Sequence, residues 1–242
     1  MKDKLDVEKI NGTGTPLVFV HGWLGSKDSW NQVRDELNLE NPKIFYSQRC
    51  HGNSECSEFR LNDLADDLEE ITRDLGDPVI VGHSMGGMTA LKYSTISDNF
   101  SGLILLGTCA STPRPNYRSP QYFLDMLGDI AREKWAGLIA DNYAEGTEEM
   151  RRESFQELLE ADIEPVKYGL KAMIDYDVID QLEEENAVVV AGKDDGAIKP
   201  EQSRDVSELL NCEFRLIDSS HLMLQEKPEK VAEIIQEFVE NQ

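Results

Sequence analysis

The chain has 242 residues, enough for one large domain with a substantial core, and its 40% hydrophobic content excludes intrinsic disorder. Aspartate and glutamate number 47 against 24 lysines and arginines, and the net charge of −23 sets a field that opposes nucleic acid and anionic membranes as partners. The charged start "MKDKLDVEKI" lacks the apolar core of a secretory signal and no apolar run has the length of a membrane span, so the expectation is a cytoplasmic protein with no membrane attachment.

In chain order, "LVFVHG" (Leu17 to Gly22) is a short apolar run ending at glycine, and Trp30, Val33 and Leu37 follow at helical spacing. "KIFYSQ" (43–48) is a second strand. Leu61, Leu64, Ala65, Leu68, Ile71 and Leu75 keep one face of a helix that stops at Gly76. "PVIVG" is a third strand, followed by a turn at Ser84 and a helix from Met85 to Ile96. "LILLGT" (103–108), "AVVVAG" (187–192) and "EFRLID" (213–218) are three further strands, and Pro228 opens a last helix that buries Val231, Ile234, Ile235 and Phe238. Strands that are apolar on both faces and alternate with amphipathic helices predict a mostly parallel α/β sheet covered on both sides.

One block breaks the alternation. Between about 111 and 180 there is no good strand, only helical stripes, such as Trp135, Leu138 and Ile139, or Val166, Leu170, Met173 and Ile174. This predicts a core of residues 1–111 and 181–242 with a helical insertion at 112–180.

The stretch "VGHSMGG" (81–87) carries the chemistry. In a parallel α/β sheet, sites lie at the carboxyl ends of strands, and Ser84 stands at such an end with a helix opening behind it. Gly82 and Gly86 flank the serine where a sharp strand-to-helix turn leaves no room for side chains. Such a turn presents a nucleophilic hydroxyl. Of the four histidines, His83 adjoins the serine, His51 lies in an earlier loop and His21 sits where it shapes the turn after the first strand. His221, just beyond the last strand, is the base. Its carboxylate partner belongs at the end of the strand before it, where Asp195 is preferred, with Asp194 and Asp218 as alternatives. Backbone N–H groups of Met85 and Trp23 are the expected oxyanion donors, with Gly22 permitting close approach.

These pieces, "HGWLGSKDSW", "RCHGNS", "VGHSMGG", "AGKDD" and "SSHLMLQEKPEKV", resemble the α/β-hydrolase fold superfamily, specifically the small capped serine esterases and related hydrolases. The resemblance covers about 15–111 and 187–240, in the order Ser84, Asp195, His221. It implies a catalytic triad, an inserted cap or lid at 112–180, no metal and no cofactor. Two departures stand out: few residues precede the "HG" strand, and Cys50 occupies a place where glycine is usual.

The implied activity is a carboxylesterase acting on a small-molecule ester, with short- to medium-chain acyl groups, through an acyl-enzyme. Two other readings use the same residues. A carbon–carbon hydrolase or lyase would need a cation for a substrate carboxylate, with Arg114, Arg118 or Arg132 as candidates. A slow-turnover ligand receptor would keep the triad without rapid chemistry. A monomer and a homodimer are both compatible with the sequence. The four cysteines (50, 56, 109 and 212) form no CxxC pair and are expected to be reduced thiols, with a Cys50–Cys56 disulfide as the minor alternative. The acids crowd the polar faces of helices near 61–75, 147–161 and 226–240. This pattern suits a high-salt habitat, which predicts a melting temperature that rises from low to molar salt.

Overall fold

The computed structural model describes residues 4–114, 119–143 and 148–241. Seven strands form one sheet: β1 (Asp6–Ile10), β2 (Leu17–Val20), β3 (Lys43–Ser47), β4 (Val79–His83), β5 (Gly102–Leu106), β6 (Ala187–Gly192) and β7 (Glu213–Ile217). Their spatial order is β1-β3-β2-β4-β5-β6-β7. All neighbours are parallel except β1 and β3, where Asp6 pairs with Ser47 in antiparallel register.

Among the described residues ten α-helices accompany the sheet: α1 (Asn31–Glu36), α2 (Leu61–Thr72), α3 (Met85–Ser94), α4 (Pro120–Met126), α5 (Arg132–Tyr143), α6 (Glu148–Glu160), α7 (Ile163–Ile174), α8 (Pro200–Leu209), α9 (Met223–Glu226) and α10 (Pro228–Glu240). The central strands bury every residue on both faces, as their unbroken valine, leucine and isoleucine runs require. One face packs on α2 and α3 through Leu64, Leu68, Met88 and Leu91, and the other on α10 through Val231, Ile234 and Ile235. Each fully buried side chain of this size contributes roughly 1.5–3 kcal/mol of transfer free energy. The expected parallel α/β architecture is the observed one.

The strand β1 and helices α8 and α9 have no counterpart in the sequence reading. β1 ("DVEKI") is a half-exposed edge of mixed polarity and carries no apolar run. Helices α4 to α7 fill the predicted helical block between β5 and β6. Its two ends meet in an antiparallel bridge between Ser111 and Asp177, and Val178 N–H donates to Ala110 O at 2.9 Å. Its stripes face inward: Phe123, Trp135, Ile139, Leu158, Val166 and Leu170 are buried. Among the described residues no helix is long and apolar enough to cross a membrane.

The cysteine expectation is corrected in part. Cys50 and Cys56 form a disulfide, whereas Cys109 and Cys212 are free. After β3 the chain doubles back: Cys50 N–H donates to Glu55 O at 3.1 Å and Ser54 N–H to His51 O at 3.1 Å. That turn brings the two α-carbons to 4.0 Å, a closeness that a six-residue spacing does not reveal. Cys50 also takes a left-handed φ of 63°, the conformation for which glycine is the ordinary choice.

Candidate active site

The carboxyl ends of β2, β4, β6 and β7 converge on one place. Ser84 leaves β4 with φ 55° and ψ −120°, a region that costs a non-glycine residue roughly 1–3 kcal/mol and persists only where its surroundings enforce it. They do so here. Ser84 N–H donates to Leu106 O at 2.9 Å, and Ser84 O accepts from Gly87 N–H, Met88 N–H and Thr108 Oγ1 at 2.9, 3.1 and 2.9 Å. A Cβ on Gly82 would stand 2.6 Å from Gly86 O, and one on Gly86 would stand 2.1 Å from Val20 O. The turn closes only because both positions are glycine.

His221 bridges the two groups predicted on either side of it. Its Nε2 is 2.9 Å from Ser84 Oγ and its Nδ1 is 2.8 Å from Asp195 Oδ2. All three residues are buried, Ser84 at 6%, Asp195 at 2% and His221 at 3% exposure. With Nδ1–H donating to the carboxylate, Nε2 is the acceptor for the serine hydroxyl. The other carboxylate oxygen, Asp195 Oδ1, accepts the N–H groups of Ala197 and Ile198 at 2.9 and 2.8 Å. Asp195 therefore stands in a complete hydrogen-bond set. The two alternatives lie elsewhere: Asp194 is exposed, and Asp218 is exposed and 3.8 Å from Lys193. A hydroxyl that can pass its proton to an imidazole held by a buried carboxylate is competent as a nucleophile.

His21 is wholly buried and satisfied at both nitrogens. Its Nδ1–H donates to Gly22 O at 2.7 Å and its Nε2 accepts Gln48 N–H at 2.9 Å. Burial, with His51 and His83 nearby, lowers its pKa to about 3, so it holds the Gly22–Trp23 turn as a neutral ring. Gly22 lies against Ser84 and His83, and Met85 opens α3 directly behind the serine. The four histidines share this region. His51 packs edge-on to His21, with centroids 5.1 Å apart, and His83 lies 5.1 Å from His221.

Three contributors carry no signal in the local sequence. His83 Nε2–H donates to His221 O at 3.0 Å, and burial, followed by the neighbouring His221, lowers its pKa to about 3. Gln48 ties the β3 exit to the rest: its Nε2–H donates to His21 O at 2.8 Å, and its Oε1 accepts from Thr89 Oγ1 of α3 at 2.9 Å. Gly169 of α7 lies flat against the Trp23 indole, where a Cβ would stand 2.3 Å from Cδ1 and Nε1.

Ser84 opens into a cavity of about 670 Å³ between the sheet and helices α5 and α6. Trp23, Leu24, Ile139, Leu158 and Leu224 supply apolar walls. Among the described residues two carboxylates, Asp28 and Glu157, line it, and no lysine or arginine does. Burial, and then the neighbouring Glu153, holds the Glu157 carboxyl above its ordinary range. Of the arginines predicted near the insertion, Arg132 gives its guanidinium N–H groups to Leu158 O and Ala161 O at the end of α6 and stacks on Trp135. Arg114 is exposed and pairs with Asp205 at 3.2 Å, and Arg118 lies outside the described residues.

Residues 17–234 match the family model described as the alpha/beta hydrolase family. The chain superposes with a TM-score of 0.83 on a thermophilic esterase from Thermogutta terrifontis, at 27% identity over 99% of this chain and 94% of that one. It is 23% identical to 3-oxoadipate enol-lactonase 1 of Acinetobacter baylyi over 96% of this chain and 92% of the lactonase. A stretch of 87 residues is 34% identical to a non-heme chloroperoxidase of Kitasatospora aureofaciens, spanning 34% of this chain and only about a third (32%) of that protein. With nine-tenths of the sequence inside the family model and 99% of the chain covered in the superposition on the esterase, the chain belongs to the alpha/beta hydrolase family.

Proposed function

We propose that this protein is a serine hydrolase that cleaves uncharged carboxylic esters through an acyl-enzyme. One observation carries the reading: the unbroken hydrogen-bonded chain Asp195–His221–Ser84 at a strained turn that opens into a cavity of mixed apolar and polar lining. In the proposed reaction Ser84 Oγ attacks the ester carbonyl as its proton moves to His221 Nε2. Asp195 holds the ring and stabilises the imidazolium. The N–H groups of Met85 and Trp23 receive the oxyanion, Met85 at the positive end of the α3 dipole. His221 then gives its proton to the leaving alcohol. Water, deprotonated by the same imidazole, releases the acid and restores the serine. Helices α4 to α7 act as the cap that roofs the site, and the similarity to an enol-lactonase brings cyclic esters within range.

The carbon–carbon cleavage reading is weakened. Among the described residues, which leave out Arg118, a substrate carboxylate would meet Asp28 and Glu157 and no lysine or arginine on the cavity wall, and Arg132 is engaged by helix-end carbonyls. The deciding experiment is hydrolysis of p-nitrophenyl esters from acetate to dodecanoate by wild type and Ser84→Ala. The expected result is turnover favouring short and medium chains, lost by on the order of 10⁶ in kcat in the variant. A folded wild type without turnover, or a fully active variant, would overturn the proposal.

A further inference from the structure

Glu226 ends α9, inside the stretch "SSHLMLQEKPEKV", and takes no part in the reaction proposed above. Its carboxylate accepts three hydrogen bonds from the two residues that precede His221. Ser219 Oγ–H and Ser220 N–H donate to Oε2 at 2.9 and 2.7 Å, and Ser220 Oγ–H donates to Oε1 at 2.8 Å. Both serines are buried, at 4% and 3% exposure. The same pair also anchors the neighbouring loop. Asp194 N–H donates to Ser219 O at 3.0 Å, and Gly192 lies so close that a Cβ would stand 2.4 Å from Ser220 O. One carboxylate therefore grips the chain immediately before the base and, through one backbone bond, the residue before the acid.

We propose that Glu226 is a positioning residue that sets His221 between Asp195 and Ser84, an inference that rests on the serine hydrolase reading. The physical case is the weakness of the alternatives. α9 is a single turn, and the segment between β7 and α9 has no ladder to hold it. An ionised acceptor binds a backbone N–H more strongly than a neutral one, and it fixes both hydroxyl rotors as well. Without it the buried Ser220 N–H loses its acceptor and the segment must shift to regain one. The imidazole moves with that segment, and a displacement of about 1 Å at a reacting group can cost on the order of 10² in rate.

The test compares wild type, Glu226→Ala and Glu226→Gln by kcat and KM on p-nitrophenyl butyrate, and by the downfield proton NMR signal of the His221 Nδ1–H. Glu226→Ala is expected to lower kcat about 10- to 100-fold with KM nearly unchanged, and to lose the proton signal. Glu226→Gln is expected to recover both, because the amide oxygen keeps the Ser219 hydroxyl and Ser220 N–H while the amide N–H₂ donates to the Ser220 hydroxyl oxygen. A core truncation outside both loops, Leu68→Ala on α2, controls for lost stability and should keep kcat and the signal. An alanine variant with wild-type kcat and an intact signal overturns the proposal, and so does a glutamine variant as impaired as the alanine. If wild type hydrolyses no ester, the hydrolase reading falls, and the proton signal alone decides whether the clamp positions His221.

Discussion

Acidification should destabilise this protein through its buried histidines, and the amount follows from their surroundings. His21 accepts a backbone N–H at Nε2 and donates at Nδ1, so a second proton would face the Gln48 N–H with no acceptor. His83 donates from Nε2 and is also buried, though at 8% exposure against none for His21. Both folded-state pKa values are about 3 against an ordinary histidine value of 6.5. The unfolded chain therefore binds more protons below 6.5. The stabilisation is complete above that pH and drains away as the pH falls toward 3. Between pH 7 and pH 5 each histidine should cost about 2 kcal/mol, together about 4 kcal/mol, a large share of a typical total of roughly 5–15 kcal/mol. The many surface carboxylates act in the opposite direction, since their protonation relieves repulsion. The measurement is therefore a difference: urea unfolding of wild type and His21→Gln at both pH values and constant ionic strength. The variant is less stable at pH 7 but should lose about 2 kcal/mol less on acidification, having no ring to protonate. Equal losses in the two proteins would refute the assignment of a buried, neutral His21.

Asp195→Asn should lower kcat by roughly 10⁴ by leaving His221 in the wrong tautomer, whereas Asp194→Asn should stay near wild type; the reverse ranking in steady-state kinetics would move the acid. Reducing the Cys50–Cys56 bridge frees a short loop and should lower unfolding stability by about 2 kcal/mol, read as a drop in urea midpoint with dithiothreitol that Cys50→Ser/Cys56→Ser reproduces without reductant. Gly169→Ala drives a methyl into the Trp23 indole and should cost about 1–3 kcal/mol of stability and lower kcat, since Trp23 is a proposed oxyanion donor; unchanged melting and kcat would show that α7 yields freely. Glu157→Gln should improve hydrolysis of a succinate monoester relative to the butyrate ester by roughly fivefold, the equivalent of ~1 kcal/mol for removing one like charge from the cavity wall, and an unchanged ratio would remove Glu157 from the substrate's surroundings.

The parallel sheet, the helical block between β5 and β6 and the turn at Ser84 were legible in the sequence. Each is dictated locally: a strand buried on both faces must be apolar throughout, and a turn as tight as Gly82–Gly86 admits only glycine at its flanks. The order of strand ends along the chain also placed Ser84, Asp195 and His221 within reach of one another. Everything that needed two distant segments to meet was decided by tertiary structure. β1 is short, of mixed polarity, half-buried at its start and exposed at its end, and only its pairing with β3 makes it a strand. The disulfide depends on a turn closed by backbone bonds, and Asp195 differs from Asp194 only in which carboxylate points inward. The grip of Glu226 on Ser219 and Ser220, the bond from His83 to His221 O and the bed of Gly169 beneath Trp23 join residues through contacts between loops and elements. No periodicity encodes such contacts, because a hydrogen bond depends on the position of its partner in space, and local pattern specifies only the element that carries each half.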